Sequence, residues 1–283
     1  MILVTGAAGK TGLAVTKALA AKKLPVRAWV RRNHQEGKAL AAGAKETISG
    51  DLQDPIVIAR AMLGANSVYL ICPNVHPHEY EICKQLISAA KSAGVAKLVY
   101  HSVMLPATRE MPHHWQKHLV ETDLQISGII FSLLQPAGYM QNVLPYVDEI
   151  QQSGTFTVPY STQTVFTPVD LADVAEAAAT VLGEPSLEGK AYELAGPDEL
   201  STRQMAEELG NLFGRKVDAT RQSMQLWQAS AREQGLSEYA IDALSKMFSY
   251  YDLHGFAGNS SVLEGLLGRK PTTFLTFLNR IGK

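Results

Sequence analysis

The chain has 283 residues, 46% of them hydrophobic and 19% charged, with 26 basic and 27 acidic side chains and a net charge of −1. That balance excludes global disorder and argues against a general nucleic-acid-binding surface. A chain of this length buries roughly three quarters of its unfolded surface. Its two cysteines, Cys72 and Cys83, form no C-x-x-C pair and are expected to be reduced and partly buried.

The opening MILVTGAAGK meets a glycine loop after four apolar residues, too few for a signal peptide. No stretch approaches the roughly 20 apolar residues of a membrane span. A cytoplasmic protein with no membrane partner is expected. Apolar, β-branched runs at 1–5, 25–30, 46–48, 67–72, 97–102 and 128–134 read as strands. Helix-period segments at 10–21, 34–42, 55–63, 79–93 and 114–126 alternate with them. This alternation predicts an α/β fold, a Rossmann-type doubly wound parallel sheet with right-handed crossovers. Runs such as SVYLIC and GIIFSLL suit strands buried on both faces.

The pattern changes after Pro136. Short strands at 155–158 and 191–194 flank an alanine-rich helix near 173–182, and helices dominate from Arg203 onward. We therefore divide the chain into a dinucleotide-binding domain, 1–135, and a smaller, mostly helical lobe, 136–283, with later segments completing the sheet. Such a lobe walls a cleft at the strand C-termini, where doubly wound folds bind ligands.

The first strand runs into Gly6-Ala7-Ala8-Gly9-Lys10-Thr11-Gly12, and a helix follows at once. Gly6 permits a tight turn, Gly9 admits a pyrophosphate against the backbone, and Gly12 lets helix and strand pack closely. The helix N-terminus offers free N–H groups and the positive end of its dipole. Gly9-Lys10-Thr11 also suggests a nucleoside triphosphate loop, but that motif needs a glycine at position 4, which is valine. A dinucleotide is the better reading. An NAD site places an acid after the second strand, roughly 20 residues on. Here the sequence is Ala28-Trp29-Val30-Arg31-Arg32-Asn33. Arg31 and Arg32 suit a 2′-phosphate, so NADP(H) is preferred and NAD(H) stays open; a solvated basic turn is the alternative. Asp51 and Leu52, after the third strand, suit either an adenine contact or, for Asp51, a helix N-cap.

With TGAAGKTG, VRAWVRR and SGDL in register, the chain resembles an atypical short-chain dehydrogenase. KLVYHSVM, HHWQKHLVE, LLQPAGYMQNVL, FTPVDLADVAEAA and LLGRKPTTFLTFL narrow the resemblance to the NmrA-like family, with its quinone reductase and triphenylmethane reductase branches. In the wider superfamily a Tyr-x-x-x-Lys pair follows the fifth strand. The tyrosine protonates the reduced oxygen, and the lysine binds the nicotinamide ribose and lowers the tyrosine pKa. Here the segment reads His113-His114-Trp115-Gln116-Lys117, so lysine is present and His113 stands where tyrosine is expected. The chain's one Tyr-x-x-x-Lys match, Tyr80 to Lys84, precedes the fifth strand and is discarded.

The resemblance implies hydride delivery to an electron-poor small-molecule acceptor that needs little proton assistance. Lys117 is the candidate for ribose binding or acid–base work, unless it only pairs with Glu121 one turn on. His113 is a candidate proton shuttle near neutral pH, unless it merely starts a helix. His101 and Ser102 are expected to line the nicotinamide cleft. Gln135, Tyr139 and Met140 follow the sixth strand toward the same cleft, and Phe166 and Trp227 are candidates for its apolar wall, with a core role as the alternative for each. His101, His113, His114 and His118 lack the supporting acids or thiols of a zinc site, so no metal is expected. The leading reading is an NADPH-dependent oxidoreductase acting on a quinone-like or aromatic acceptor. Its rival is a non-catalytic NADP(H)-sensing regulator that binds a protein partner; a homodimer is equally open.

Overall fold

A computed structural model of the chain describes residues 1–73 and 75–282, so Lys283 of the smaller lobe lies outside the described residues. The strands are β1 (Ile2–Val4), β2 (Val26–Val30), β3 (Glu46–Ser49), β4 (Ser67–Leu70), β5 (Lys97–His101), β6 (Ile130–Pro136), β7 (Thr155–Val158), β8 (Val165–Phe166), β9 (Lys190–Leu194), β10 (Leu200–Ser201) and β11 (Asp218–Arg221). In the first half the helices are α1 (Lys10–Ala21), α2 (Glu36–Ala41), α3 (Pro55–Met62), α4 (Glu79–Ser92) and α5 (Pro112–Ile126). The second half adds α6 (Val147–Ser153), α7 (Leu171–Gly183), α8 (Thr202–Phe213), α9 (Met224–Glu233), α10 (Glu238–His254), α11 (Ser261–Leu267) and α12 (Phe274–Ile281).

Seven strands form one parallel sheet in the order β3-β2-β1-β4-β5-β6-β9. The order reverses between β1 and β4, which opens a crevice at their C-terminal ends. Alternation along each strand sorts side chains to two faces. Val4, Tyr69 and Val99 enter the core beneath α1 and α7, while Leu3, Leu70 and Leu98 enter the core beneath α3, α4 and α5. Helices on both faces explain why these strands are apolar throughout.

The chain leaves the sheet after Pro136 and returns twice, for α7 against α1 and for β9 beside β6. The sheet is therefore completed by β9, from beyond residue 136. The remaining pieces build a lobe with its own core, where Met140, Val143, Ile150, Leu209, Phe274 and Phe277 meet. Two small pairings, β8 with β10 and β7 with β11, frame it. Buried carboxylates at the start of α7 anchor the C-terminal end of the chain: Arg280 reaches the N-cap Asp170 at 2.6 Å, and Arg269 reaches Asp173 at 2.8 Å. Among the described residues no helix is long and apolar enough to cross a membrane.

Candidate active site

The glycine loop connects β1 to α1. Gly6 sits at φ +60°, a backbone region that favours glycine. A Cβ at Gly12 would meet the Gly6 carbonyl and lie 2.6 Å from Ala7 Cα, so the helix start packs where only glycine fits. Thr5 stitches the turn to the next strand: its hydroxyl donates to Ile71 C=O and accepts from Ile71 N–H, both at 2.7 Å. Gly9 is the N-cap of α1, and the first bond into the helix runs from Leu13 N–H to Gly9 C=O. The N–H groups of Lys10, Thr11 and Gly12 therefore point outward for a ligand, with no acid in the first turn to oppose an anion. This cradle fits the pyrophosphate of a dinucleotide.

From the loop a cavity of about 630 Å³ follows the strand C-termini toward the smaller lobe. Gly6, Ala8, Gly9, Lys10, Thr11 and Gly12 line one end. Arg31, Asp51 and Leu52 line the flank beyond β2 and β3. His101, Ser102, His113, Lys117 and Tyr139 line the part beyond β5 and β6. Asp51 is not a helix N-cap: its carboxylate accepts from Gln53 N–H, and Asp54 caps α3 through Ile56 and Val57 N–H.

Five of the expected residues do not reach the cavity wall. Arg32 is exposed beside it, its backbone N–H held by Gln35 Oε1. Gln135 points the other way from Pro136 in β6 and donates to Glu121 at 2.8 Å. Met140 follows extended Tyr139, so the two side chains diverge, and Met140 enters the core of the smaller lobe. Phe166 lies behind Tyr251, with ring centroids 5.5 Å apart, and Tyr251 is the one that faces the cavity. Trp227 also stays outside, edge-on to Phe248.

The chemistry of the wall rests on three arrangements. Lys117 Nζ lies 2.5 Å from Glu79 Oε1, with Glu79 wholly buried, so its partner is on α4 rather than Glu121. Burial works against the ammonium, but the Glu79 charge and hydrogen bond outweigh it and raise the pKa. Lys117 therefore stays cationic through neutral pH, which suits binding better than proton exchange. Next, His101 bridges two phenols: Nδ1 is 2.6 Å from the Tyr69 hydroxyl and Nε2 is 2.6 Å from the Tyr139 hydroxyl. Burial, helped by the Lys117 charge, lowers the His101 pKa to about 3, and burial holds the Tyr139 phenol above its usual range. Finally, burial brings His113 to about 3 and His114 to about 4. His113 lines the cavity, and burial favours its neutral imidazole near neutral pH, which weighs against a proton shuttle there.

Among the lining residues that sequence reasoning missed are Asn142, Met247, Tyr251 and Phe256. They close the cavity from the smaller lobe with two aromatic rings, a thioether and an amide. Tyr251 and Phe256 pack at 4.8 Å between centroids and belong to the same core as the sheet, which places them at the junction of lobe and sheet. The one sequence signal for this wall is the aromatic density of 248–256, FSYYDLHGF.

Comparison with known proteins agrees with this geometry. The NmrA-like family model matches residues 1–278. NAD(P)H azoreductase of Xenophilus azovorans is 31% identical over 98% of this chain and 96% of its own length. Quinone oxidoreductase 2 of Escherichia coli (strain K12) is 30% identical over 96% of each. Among solved structures, the NADPH-dependent quinone oxidoreductase of Escherichia coli in complex with NADPH superposes with a TM-score of 0.86 at 28% identity, over the whole of both chains. Citrobacter sp. triphenylmethane reductase shares the fold, with a TM-score of 0.84 at 23% identity over 99% of each chain. The chain belongs to the NmrA-like family.

Proposed function

We propose that the cavity binds a nicotinamide dinucleotide along the glycine loop and a planar acceptor against the wall formed by Met247, Tyr251 and Phe256. The chain is an NAD(P)H-dependent oxidoreductase that reduces quinone-like or aromatic small molecules. The observation that carries this reading is continuity: one cavity joins an anion cradle at the α1 N-terminus to an apolar, aromatic chamber at the lobe junction. The azoreductase and quinone oxidoreductase relatives, each matched over nearly the full length, support it.

The dihydronicotinamide, when bound, supplies the hydride. The chain's own residues bind, orient and exclude water. In our reading the N–H groups of Lys10, Thr11 and Gly12 hold the pyrophosphate. Arg31 faces a 2′-phosphate and favours NADPH over NADH. Lys117, fixed by Glu79, presents its remaining N–H donors to the nicotinamide ribose. His101 orients the Tyr139 hydroxyl, which stays protonated and available as a hydrogen-bond donor to an acceptor oxygen. Neutral His113 and His114 add no charge to the chamber beyond the Lys117–Glu79 pair, which suits an uncharged planar acceptor. The division of labour we propose gives cofactor binding to 1–135 and the acceptor wall to 136–283. We place the activity in the cytoplasm, with no nucleic acid or membrane partner.

Anaerobic mixing of NADPH with a panel of benzoquinones, naphthoquinones and azo dyes tests the reading. Oxidation of one NADPH per quinone reduced is expected. Tight NADPH binding without turnover of any acceptor would move the chain to the rival class, a cofactor-sensing regulator.

A further inference from the structure

Behind the cavity wall, three donor atoms converge that hydride transfer does not use. Cys72 follows β4, Glu79 opens α4, and Cys83 lies one turn along the same helix. The two Sγ atoms and a carboxylate oxygen of Glu79 all lie within 4.8 Å of one another. Both cysteines are free, and all three residues are buried, Glu79 completely. Glu79 Oε1 is committed, accepting from the Tyr100 hydroxyl and from Lys117 Nζ. Among the described residues Glu79 Oε2 is buried with no hydrogen-bond partner. A carboxylate with one oxygen left unpaired in the interior is costly, and beside two sulfurs it completes a ligand set that soft divalent metals favour.

We propose that Cys72, Glu79 and Cys83 form a binding site for a thiophilic d¹⁰ cation of the zinc class. Glu79 and Cys83, four residues apart, share a helix face, and the end of β4 brings Cys72 to it. Zinc–sulfur bonds of about 2.3 Å and zinc–oxygen bonds of about 2.0 Å set tetrahedral donors roughly 3.5–3.8 Å apart, so the cluster contracts by no more than roughly 1.3 Å. On loading, both S–H bonds break, their protons pass to solvent, two sulfur–metal bonds form, and Glu79 Oε2 becomes the third ligand. Charge is conserved at the site: Glu79 and Lys117 already cancel, and a dication with two thiolates adds nothing. Cys72 also lines the cavity, which gives the ion a path in. Two thiolates disfavour calcium and magnesium, which take oxygen ligands.

The test is zinc uptake by the reduced full-length chain, measured against a chromophoric chelator, with cadmium as a spectroscopic substitute. One zinc per chain is expected, together with an ultraviolet cadmium–thiolate charge-transfer band on the unsubstituted protein. Cys72→Ser and Cys83→Ser, checked for folding by circular dichroism, should each weaken zinc binding by about tenfold or more. Uptake that survives both substitutions would assign the ion to surface imidazoles such as His76 and His78 and overturn the proposal. Absence of the cadmium band on the unsubstituted chain would overturn it without any variant.

Discussion

Lys117 and Glu79 form an ion pair, Nζ to Oε1 at 2.5 Å, in which neither side chain is more than 8% exposed. The pair joins α5 to α4 across 38 residues of sequence and fixes the ammonium at the cavity wall. Removing one partner strands a buried charge, which costs about 3–5 kcal/mol. Lys117→Ala and Glu79→Gln should each lower thermal stability markedly. The double variant Lys117→Met/Glu79→Gln should recover most of it while NADPH affinity stays low. Thermal unfolding and calorimetric titration on the three variants separate the two effects. Full recovery of NADPH affinity in the double variant would remove Lys117 from the cofactor site.

In the proposed site, cofactor choice rests on Arg31. A charge-assisted contact to a 2′-phosphate contributes about 1.5–3 kcal/mol, so Arg31→Ala should weaken NADPH by about tenfold or more and leave NADH nearly unchanged. Arg32, beside the cavity rather than on its wall, should matter less when replaced. Equal dissociation constants for the two cofactors in the unsubstituted chain would refute the preference.

The glycine loop gives a prediction that does not depend on cofactor type. At Gly12 an added Cβ meets backbone that has no room to move, 2.6 Å from Ala7 Cα. Gly12→Ala should therefore weaken NADPH and NADH together and lower the melting temperature. At Gly9 the nearest atom to an added Cβ is the Gly6 oxygen at 3.2 Å, so Gly9→Ala should leave stability closer to normal while hindering the pyrophosphate. Fluorescence titration of both cofactors against both variants checks the ordering.

These residues also show what was legible in the primary structure. The loop, the strand–helix alternation and the place of Lys117 are local patterns, and a one-dimensional reading finds them. The partner of Lys117 is a tertiary fact, because Glu79 sits on another helix and nothing in its neighbourhood marks it as buried. Met140 and Gln135 share with Tyr139 a place at the end of the sixth strand, which points to the cleft, yet extended backbone sends neighbours to opposite sides. Phe166 gives way to Tyr251, because the order of aromatic layers depends on how α10 packs over β8. The neutral state of His113 is likewise invisible in sequence, since burial sets it.

Burial of three histidines makes stability depend on pH. His101 and His113 titrate at about 3 and His114 at about 4 in the folded chain, against about 6.5 when unfolded. Between those values the unfolded state binds more protons, so stability rises with pH across that window. It is full above about 6.5 and is lost as pH falls toward 4. Denaturant melts at pH 5 and pH 7 should show a clear loss at pH 5. The activity profile between pH 6 and 8 should carry no limb from these imidazoles. A limb abolished by His113→Asn would show that His113 titrates near neutrality after all.

Hydride transfer from a dinucleotide held in this cavity is the central claim, and single-turnover reduction of a benzoquinone with stereospecifically C4-deuterated NADPH tests it most directly. A fixed site exposes one face of the nicotinamide to the acceptor, so one of the two deuterated isomers should react more slowly and the other at the rate of unlabelled NADPH. Equal rates for all three, or no oxidation of bound NADPH, would contradict it.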